Sequence, residues 1–320
     1  MSKTDEKAIL NQCLTAGMDD AAGIFFSREL EHIKANSYDK KYAELPWRTL
    51  FPVSHEAPPG TATITARSYD RTGLAKIIES YANDLPRADI FGKEYYSTVK
   101  SLGTSYGYST KEIRQAQLTG KSLEARRSFA ATMAHEEQMN KLAFYGDADA
   151  NIIGLKNAPG VPVATVATKA GTGTTWIGNA TPEEILFDMN NAVDTMIVTT
   201  KMREKPTRML LPVAQYLYIK KTPRSTNDVS GKTILTYFLE TNEYITEVIP
   251  VNELAGFGTG GADTLVVYNP DPMNFTVEVP MELYQMAPQL RNLEWEIPCE
   301  SEFGGMLVYY PLSLAKWEGI

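Results

Sequence analysis

Two cysteines, three histidines and four tryptophans are all that 320 residues contain of those types. Cys13 and Cys299 lie near opposite ends and form no CxxC pair, so neither a disulfide scaffold nor a zinc knuckle is expected, and reduced thiols in a cytoplasm are the default. His32, His55 and His135, with no G-x-S-x-G elbow, offer little material for histidine-based acyl transfer. No stretch approaches the ~20 apolar residues that cross a bilayer as a helix. The start, Met1-Ser2-Lys3-Thr4-Asp5-Glu6-Lys7, lacks the apolar core of a secretion signal, so neither export by that route nor a membrane role is expected. Positive charge is also short: 31 Lys and Arg against 39 Asp and Glu leave a net charge of -8. Any contact with DNA should therefore be non-adhesive.

What is present is ordinary for a soluble folded protein: 43% hydrophobic and 22% charged residues, enough for about two domains. Residues 1–53 read as an arm. Short helical pieces (Asp5 to Leu14, Phe25 to Ile33) alternate with polar and proline-marked connections, and Phe25, Phe26, Tyr38, Tyr42 and Trp47 are too many for a free tail and too dispersed for a core. Ala62 to Ser68 alternates like a strand, and Asp70-Arg71-Thr72-Gly73 supplies turn chemistry. Leu74 to Tyr81 is strand or short helix, and tyrosine-rich Lys93 to Tyr108 is the expected return strand. An isolated ribbon of that length is marginal in water and needs a cover, most simply another subunit.

Ser109-Thr110-Lys111-Glu112 has capping-box spacing. Gly120, costing ~1 kcal/mol relative to alanine, predicts a bend, then a main helix from Ser122 to about Phe144, roughly 35 Å long, with Ala125, Phe129, Met133, Met139 and Leu142 on its apolar stripe. Residues 161–180 read as exposed strand or loop. Thr181-Pro182-Glu183-Glu184 opens a second helix with Ile185, Met189, Val193 and Met196 as its buried stripe. A buried strand over Arg208 to Tyr218, a polar loop Lys221 to Asp228 and a helix over Thr233 to Leu239 follow, then strands at Tyr244–Ile249, Thr264–Tyr268, Phe275–Val279, Leu293–Ile297 and Met306–Tyr310.

No candidate for chemistry survives its context. Gly256, Gly258 and Gly261 have the spacing of a dinucleotide-binding turn, but a strand follows where a helix is required, so a flexible inter-strand loop is the reading. His135-Glu136-Glu137 lacks a second ligand four residues on, where Met139 stands. Glu183-Glu184 suits a helix start, Asp19-Asp20 a solvated turn, and Asp147 with Asp149 falls short of a cation site. Tyr95, Tyr96, Tyr106 and Tyr108 lack interleaved arginines for base stacking and read as interface packing. No catalytic residue, cofactor or metal is expected.

Several segments, in order along nearly the whole chain, resemble the major capsid proteins of tailed bacteriophages, the Hong Kong phage-type fold shared with encapsulins. They are Gly154-Leu155-Lys156-Asn157-Ala158-Pro159-Gly160-Val161, Trp176, Thr181 to Met189, Lys232 to Leu239, Tyr268-Asn269-Pro270-Asp271-Pro272, Gly304 to Pro311 and Gly319-Ile320. The resemblance implies an α+β phage major capsid fold. Its parts are an N-terminal arm (1–53), an extended loop or β-ribbon (54–108), a peripheral domain with a long spine helix (109–180), an axial α/β domain (181–268) and return strands of the peripheral domain (269–320). It places Asp70, Arg71, Thr72 and Gly73 near the tip of the reaching loop. Thr222, Arg224, Asn227 and Asp228, with Gly256, Gly258 and Gly260, would stand near a symmetry axis.

The implied function is a non-enzymatic shell subunit that forms pentamers and hexamers of an icosahedral head around double-stranded DNA, in a virion assembled in the host cytoplasm. The arm is short for a fused scaffold, so the expected partners are a separate scaffolding protein, a portal and decoration or cement proteins, with non-covalent stabilisation. The alternatives are an encapsulin-like enzyme compartment and, remotely, a nucleotide-binding α/β enzyme.

Overall fold

Pro46 caps a one-turn helix, Trp47–Leu50, that drives Trp47, Leu50 and Phe51 into the interior. Trp47 is therefore packed into a core shared with other segments, although the sequence placed it among arm aromatics too dispersed to form one. The structure is a computed structural model that describes residues 43–76, 87–120, 124–169, 173–225 and 231–320. The predicted arm helices, with Phe25, Phe26, Tyr38 and Tyr42, lie outside the described residues.

Strand β1 (Val53–Ser54) is followed by β2 (Thr63–Thr72) and β3 (Asp89–Thr98), which pair antiparallel as a separate two-stranded ribbon. β4 (Lys100–Ser109) leads into helix α1 (Thr110–Thr119) and the spine helix α2 (Glu124–Tyr145). After β5 (Val163–Thr165) and a turn at Trp176–Asn179 come α3 (Pro182–Thr199), β6 (Arg208–Pro212), α4 (Val213–Lys221), α5 (Ile234–Thr241) and β7 (Glu247–Val251). The chain closes with β8 (Thr264–Tyr268), β9 (Phe275–Glu278), β10 (Met281–Gln285), β11 (Gln289–Arg291), β12 (Glu294–Phe303), β13 (Gly305–Val308) and β14 (Leu314–Glu318).

Both predicted capping boxes form. Ser109 Oγ accepts from the Glu112 amide at 3.2 Å while the Glu112 carboxylate accepts from the Ser109 amide at 3.1 Å. Thr181 and Glu184 repeat the exchange with Pro182 in the first turn. Helix α1 ends at Gly120, where a bend was expected, because its φ of 66° caps the helix in the left-handed region.

The spine-helix stripe needs correction. Phe129 is 63% exposed and Met133 half-buried, whereas Ala131, His135, Met139, Leu142, Ala143 and Phe144 face inward. The buried stripe carries a histidine at its centre, which hides it from a hydrophobicity count. The expected strand over Arg208 to Tyr218 is also cut short. It ends at Pro212, which has no amide to continue a ladder, and α4 follows with Gln215 and Ile219 buried four residues apart.

The five-stranded sheet β5-β14-β8-β6-β7 organises the interior. β8 is buried along its whole length, so it reads as a continuous apolar run in place of an alternating one. Leu265 and Val267 join a core with Met209, Leu211, Ala315, Trp317, α3 and α5. On the opposite face Val266 and Tyr268 join Leu210, Leu314, Trp47, Phe51, the end of α2 and the β1-β9-β13 sheet. Beyond this core β12 pairs residue for residue with β4, from Glu294↔Ser109 to Phe303↔Lys100, flanked by β10 and β11.

The segment after α2 holds these parts together. Leu155 and Lys156 amides donate to the Ala143 and Phe144 carbonyls that the helix leaves open. Asn157 Oδ1 accepts from Gly154 N at 2.6 Å, and Met306 N donates to Ile153 O. A Cβ on Gly154 would stand 2.3 Å from Gly146 N. From β14, Lys316 Nζ reaches the Leu155 and Lys156 carbonyls at 3.2 and 2.8 Å, and burial lowers its pKa.

Candidate subunit interface

The β2–β3 ribbon carries the largest group of exposed apolar side chains among the described residues. Its ten registered pairs run from Thr63↔Thr98 to Thr72↔Asp89, a ladder of roughly 30 Å at ~3.3 Å per residue. The root is anchored. Ser97 is 1% exposed and its Oγ donates to the Gly304 carbonyl, while Thr98 Oγ1 donates to Asn151 O at 3.1 Å. Close by, the Glu302 carboxylate accepts from the Gly60 amide at 3.0 Å.

Further out the ribbon is bare. Antiparallel pairing puts Tyr96, Tyr69 and Ile90 on one face and Phe91 on the other, with exposures of 72, 72, 68 and 61%. The Tyr69 ring lies over Gly92, where a Cβ would stand 3.4 Å away. Arg67 and Glu94 pair at 2.9 Å, but both are exposed and contribute little. A two-stranded ribbon with apolar groups on both faces is not stable alone.

The sequence readings of this region need two corrections. β2 runs straight through Asp70, Arg71 and Thr72, paired with Phe91, Ile90 and Asp89, so no turn forms there; only Gly73, at φ 146°, leaves strand geometry. Ladder pairing keeps these residues extended in spite of their turn chemistry. The return strand is Asp89–Thr98, and most of the predicted Lys93 to Tyr108 strand belongs to β4, drawn away by its ten-residue match to β12. The tyrosines divide accordingly. Tyr96 stays exposed, but Tyr108 is buried under the Arg127 guanidinium, 4.7 Å from the ring centre.

Thr222 caps α4, and Arg224 N donates to Lys232 O with its guanidinium 3.8 Å from the Tyr237 ring centre. Asn227 and Asp228 lie outside the described residues. The glycine loop runs between β7 and β8, as an inter-strand loop should, and is held by hydrogen bonds. Gly256 N donates to Asp263 Oδ1, Gly258 N donates to Ala262 O, and Phe257 is buried against Tyr145. Gly256 and Gly260 take φ of 63° and 67°, conformations that favour glycine, and the chain then enters β8. These loops and the ribbon are separate surface features that the structure does not bring together.

Two charged clusters escaped the sequence reading. Arg48 meets Glu136 on the spine helix at 2.7 Å and both oxygens of Glu282 on β10 at 2.8 Å, above the Trp47 ring. Burial alone would lower the Arg48 pKa, but the hydrogen bonds to Glu282 and Glu136 outweigh it and raise it. The Glu282 carboxyl is held low by Arg48. Beneath α3, Lys169 and Asp188 form an ion pair, 2% and 3% exposed. Nothing in sequence signals a partner 88 or 234 residues away, whereas the polar Asp188 inside the apolar stripe of α3 was a visible anomaly. His135 is equally buried; its Nδ1 lies 2.7 Å from Ser301 Oγ, and burial lowers its pKa.

Asp147 Oδ1 accepts from the Asp149 and Ala150 amides, a turn. No cluster of three or more metal-ligating side chains occurs among the described residues. No helix among them is long and apolar enough to cross a membrane.

Solved structures share this architecture. The capsid of Myoviridae phage XM1 superposes with a TM-score of 0.78 at 17% identity, covering 93% of this chain and 100% of that one. The capsid of a native GTA particle gives 0.66 at 9%, covering 94% and 99%. Mycobacterium phage Bobi gives 0.58 at 11%, covering 91% and 96%. No curated protein sequence matches the chain. At these identities the likeness establishes the fold, while the sequence pattern of the major capsid protein family matches residues 73–320. With most of its length matched, this chain belongs to the major capsid protein family.

Proposed function

We propose that copies of this chain close into pentamers and hexamers and tile an icosahedral phage head around double-stranded DNA. One observation carries the reading: the β2–β3 ribbon presents Tyr69, Ile90, Phe91 and Tyr96 on a two-stranded ladder where they stay largely exposed among the described residues. A neighbouring copy is the cover that a repeating shell supplies at every position. The work is mechanical. Weak contacts become a durable container because each subunit is held by several others.

On this reading the far end of the ribbon, Asp70 to Gly73, rests on a neighbour, and the loops at Thr222 to Asp228 and Gly256 to Gly260 crowd the ring axis. The net charge of -8 keeps the wall from gripping the genome through phosphate contacts. Scaffolding, portal and decoration proteins are separate chains, and assembly takes place in the host cytoplasm. Sedimentation velocity and negative-stain microscopy of the purified chain test the proposal. Rings or closed shells are expected as concentration rises, alone or with the scaffolding protein added, and a chain that remains monomeric throughout, scaffold included, refutes it.

A further inference from the structure

A ring closed head to tail needs two different faces on each chain, one matching the other on the next copy. The helical layer over the five-stranded sheet offers such a pair. α3 packs over β14, α4 packs over β6 and β7, and α5 touches both helices. In the sheet, β14 and β7 lie on opposite sides of β8, so α3 and α4 occupy opposite flanks.

On α3, Phe187, Asn191, Asp194 and Val198 recur at spacings of four, three and four, which is one helical face. Phe187 and Val198 are 63% and 75% exposed, with Asp194 exposed between them. Asp194 is the acid of this outward face, and the helix has no lysine or arginine. On α4 the outward face is Ala214, Leu217 and Lys221, with Leu217 42% exposed and Lys220 and Lys221 both exposed. That helix has two lysines and no acid. One flank is thus apolar and acidic, the other apolar and basic.

We infer that the outer face of α3 on one copy docks against the outer face of α4 on the next. Phe187 and Val198 pack around Leu217, and Asp194 faces Lys220 and Lys221. The apolar contacts provide the affinity and the charges select the pairing. Two α3 faces meeting about a twofold axis would set Asp194 against Asp194, so the same residues that favour the ring disfavour a closed dimer. This inference rests on the shell reading and names the contact that closes its rings.

Charge exchange tests it. Asp194→Lys alone and Lys220→Asp with Lys221→Asp should each raise the concentration needed for assembly by about tenfold or more, since like charges then oppose across the contact. Combining all three substitutions should restore assembly toward wild type. Circular dichroism and thermal melting of the unassembled variants should match wild type, since these side chains are exposed within one chain. Wild-type particles together with single reversals that assemble normally, or a folded combination that stays unassembled, overturn the α3–α4 contact and leave the shell reading standing. A wild-type chain that never assembles, alone or with the scaffolding protein, sinks both.

Discussion

Trp176 Nε1 donates to Asp188 Oδ2 at 2.8 Å, and the same carboxylate holds Lys169 Nζ at 2.5 and 2.6 Å. The ion pair ties the segment before α3 to the helix itself, inside the core above β14. Both charges are almost fully withdrawn from water, so each depends on the other. Asp188→Ala should destabilise the chain by about 3–5 kcal/mol by stranding a buried ammonium. Replacing both partners, Lys169→Met with Asp188→Leu, should recover most of that loss, because desolvation offsets much of the attraction. Urea unfolding of the unassembled chain checks this; a double variant as unstable as Asp188→Ala would show the pair to be strongly stabilising in its own right.

Gly154 should be the least replaceable glycine of the segment after the spine helix. Its neighbours are backbone atoms, Gly146 N and Leu142 O, at 2.3 and 2.5 Å from where a Cβ would stand, and neither moves without opening the helix end. Gly154→Ala should cost about 3 kcal/mol, the upper part of the range for overpacking. Gly120 has open space around it but a φ of 66°, so Gly120→Ala should cost only about 1–2 kcal/mol. Paired thermal melts separate the two mechanisms; equal losses would contradict the close-approach argument.

The Arg48 cluster predicts acid sensitivity. Arg48 holds Glu282 below its ordinary value of 4.5 in the folded chain. The unfolded chain therefore binds a proton more readily, and the stabilisation is present above about pH 4.5 and disappears as pH falls through the lower folded value. Arg48→Met should flatten this part of the stability–pH curve and cost about 1 kcal/mol at neutral pH, a modest figure because both carboxylates keep partial access to water. Denaturant titrations of the two chains from pH 3 to 7 decide it. An unchanged acid limb in Arg48→Met would assign the sensitivity elsewhere.

The two helix starts were legible because a capping box is a local device. Ser109 with Glu112, and Thr181 with Glu184, need only three residues of context. Strand β8 was legible because burial on both faces leaves an unbroken apolar run. What sequence concealed was set by distant pairing. Lys100–Ser109 looked like half of the ribbon until β12, nearly two hundred residues later, matched it along its length. Asp70 to Thr72 looked like a turn until Asp89 to Phe91 paired with it. The ribbon as a surface was therefore foreseeable, but its boundaries were not.

The exposed ribbon side chains separate folding from assembly. Tyr69 and Phe91 are 72% and 61% exposed, so replacing them with serine removes little of what the described residues bury. Tyr69→Ser with Phe91→Ser should leave the melting temperature of the unassembled chain unchanged. If a neighbour covers the ribbon, each ring then fails to bury an aromatic surface worth about 1.5–3 kcal/mol, and the loss recurs at every subunit of the shell. The double variant should stay in small species at concentrations where wild type forms rings or shells. Ser97→Ala is the contrasting case: it removes the buried hydrogen bond to Gly304 at the root, so it should lower the stability of the single chain by about 1 kcal/mol. Normal shells from the aromatic double variant, seen by negative stain, would show that the ribbon is not the surface neighbours hold.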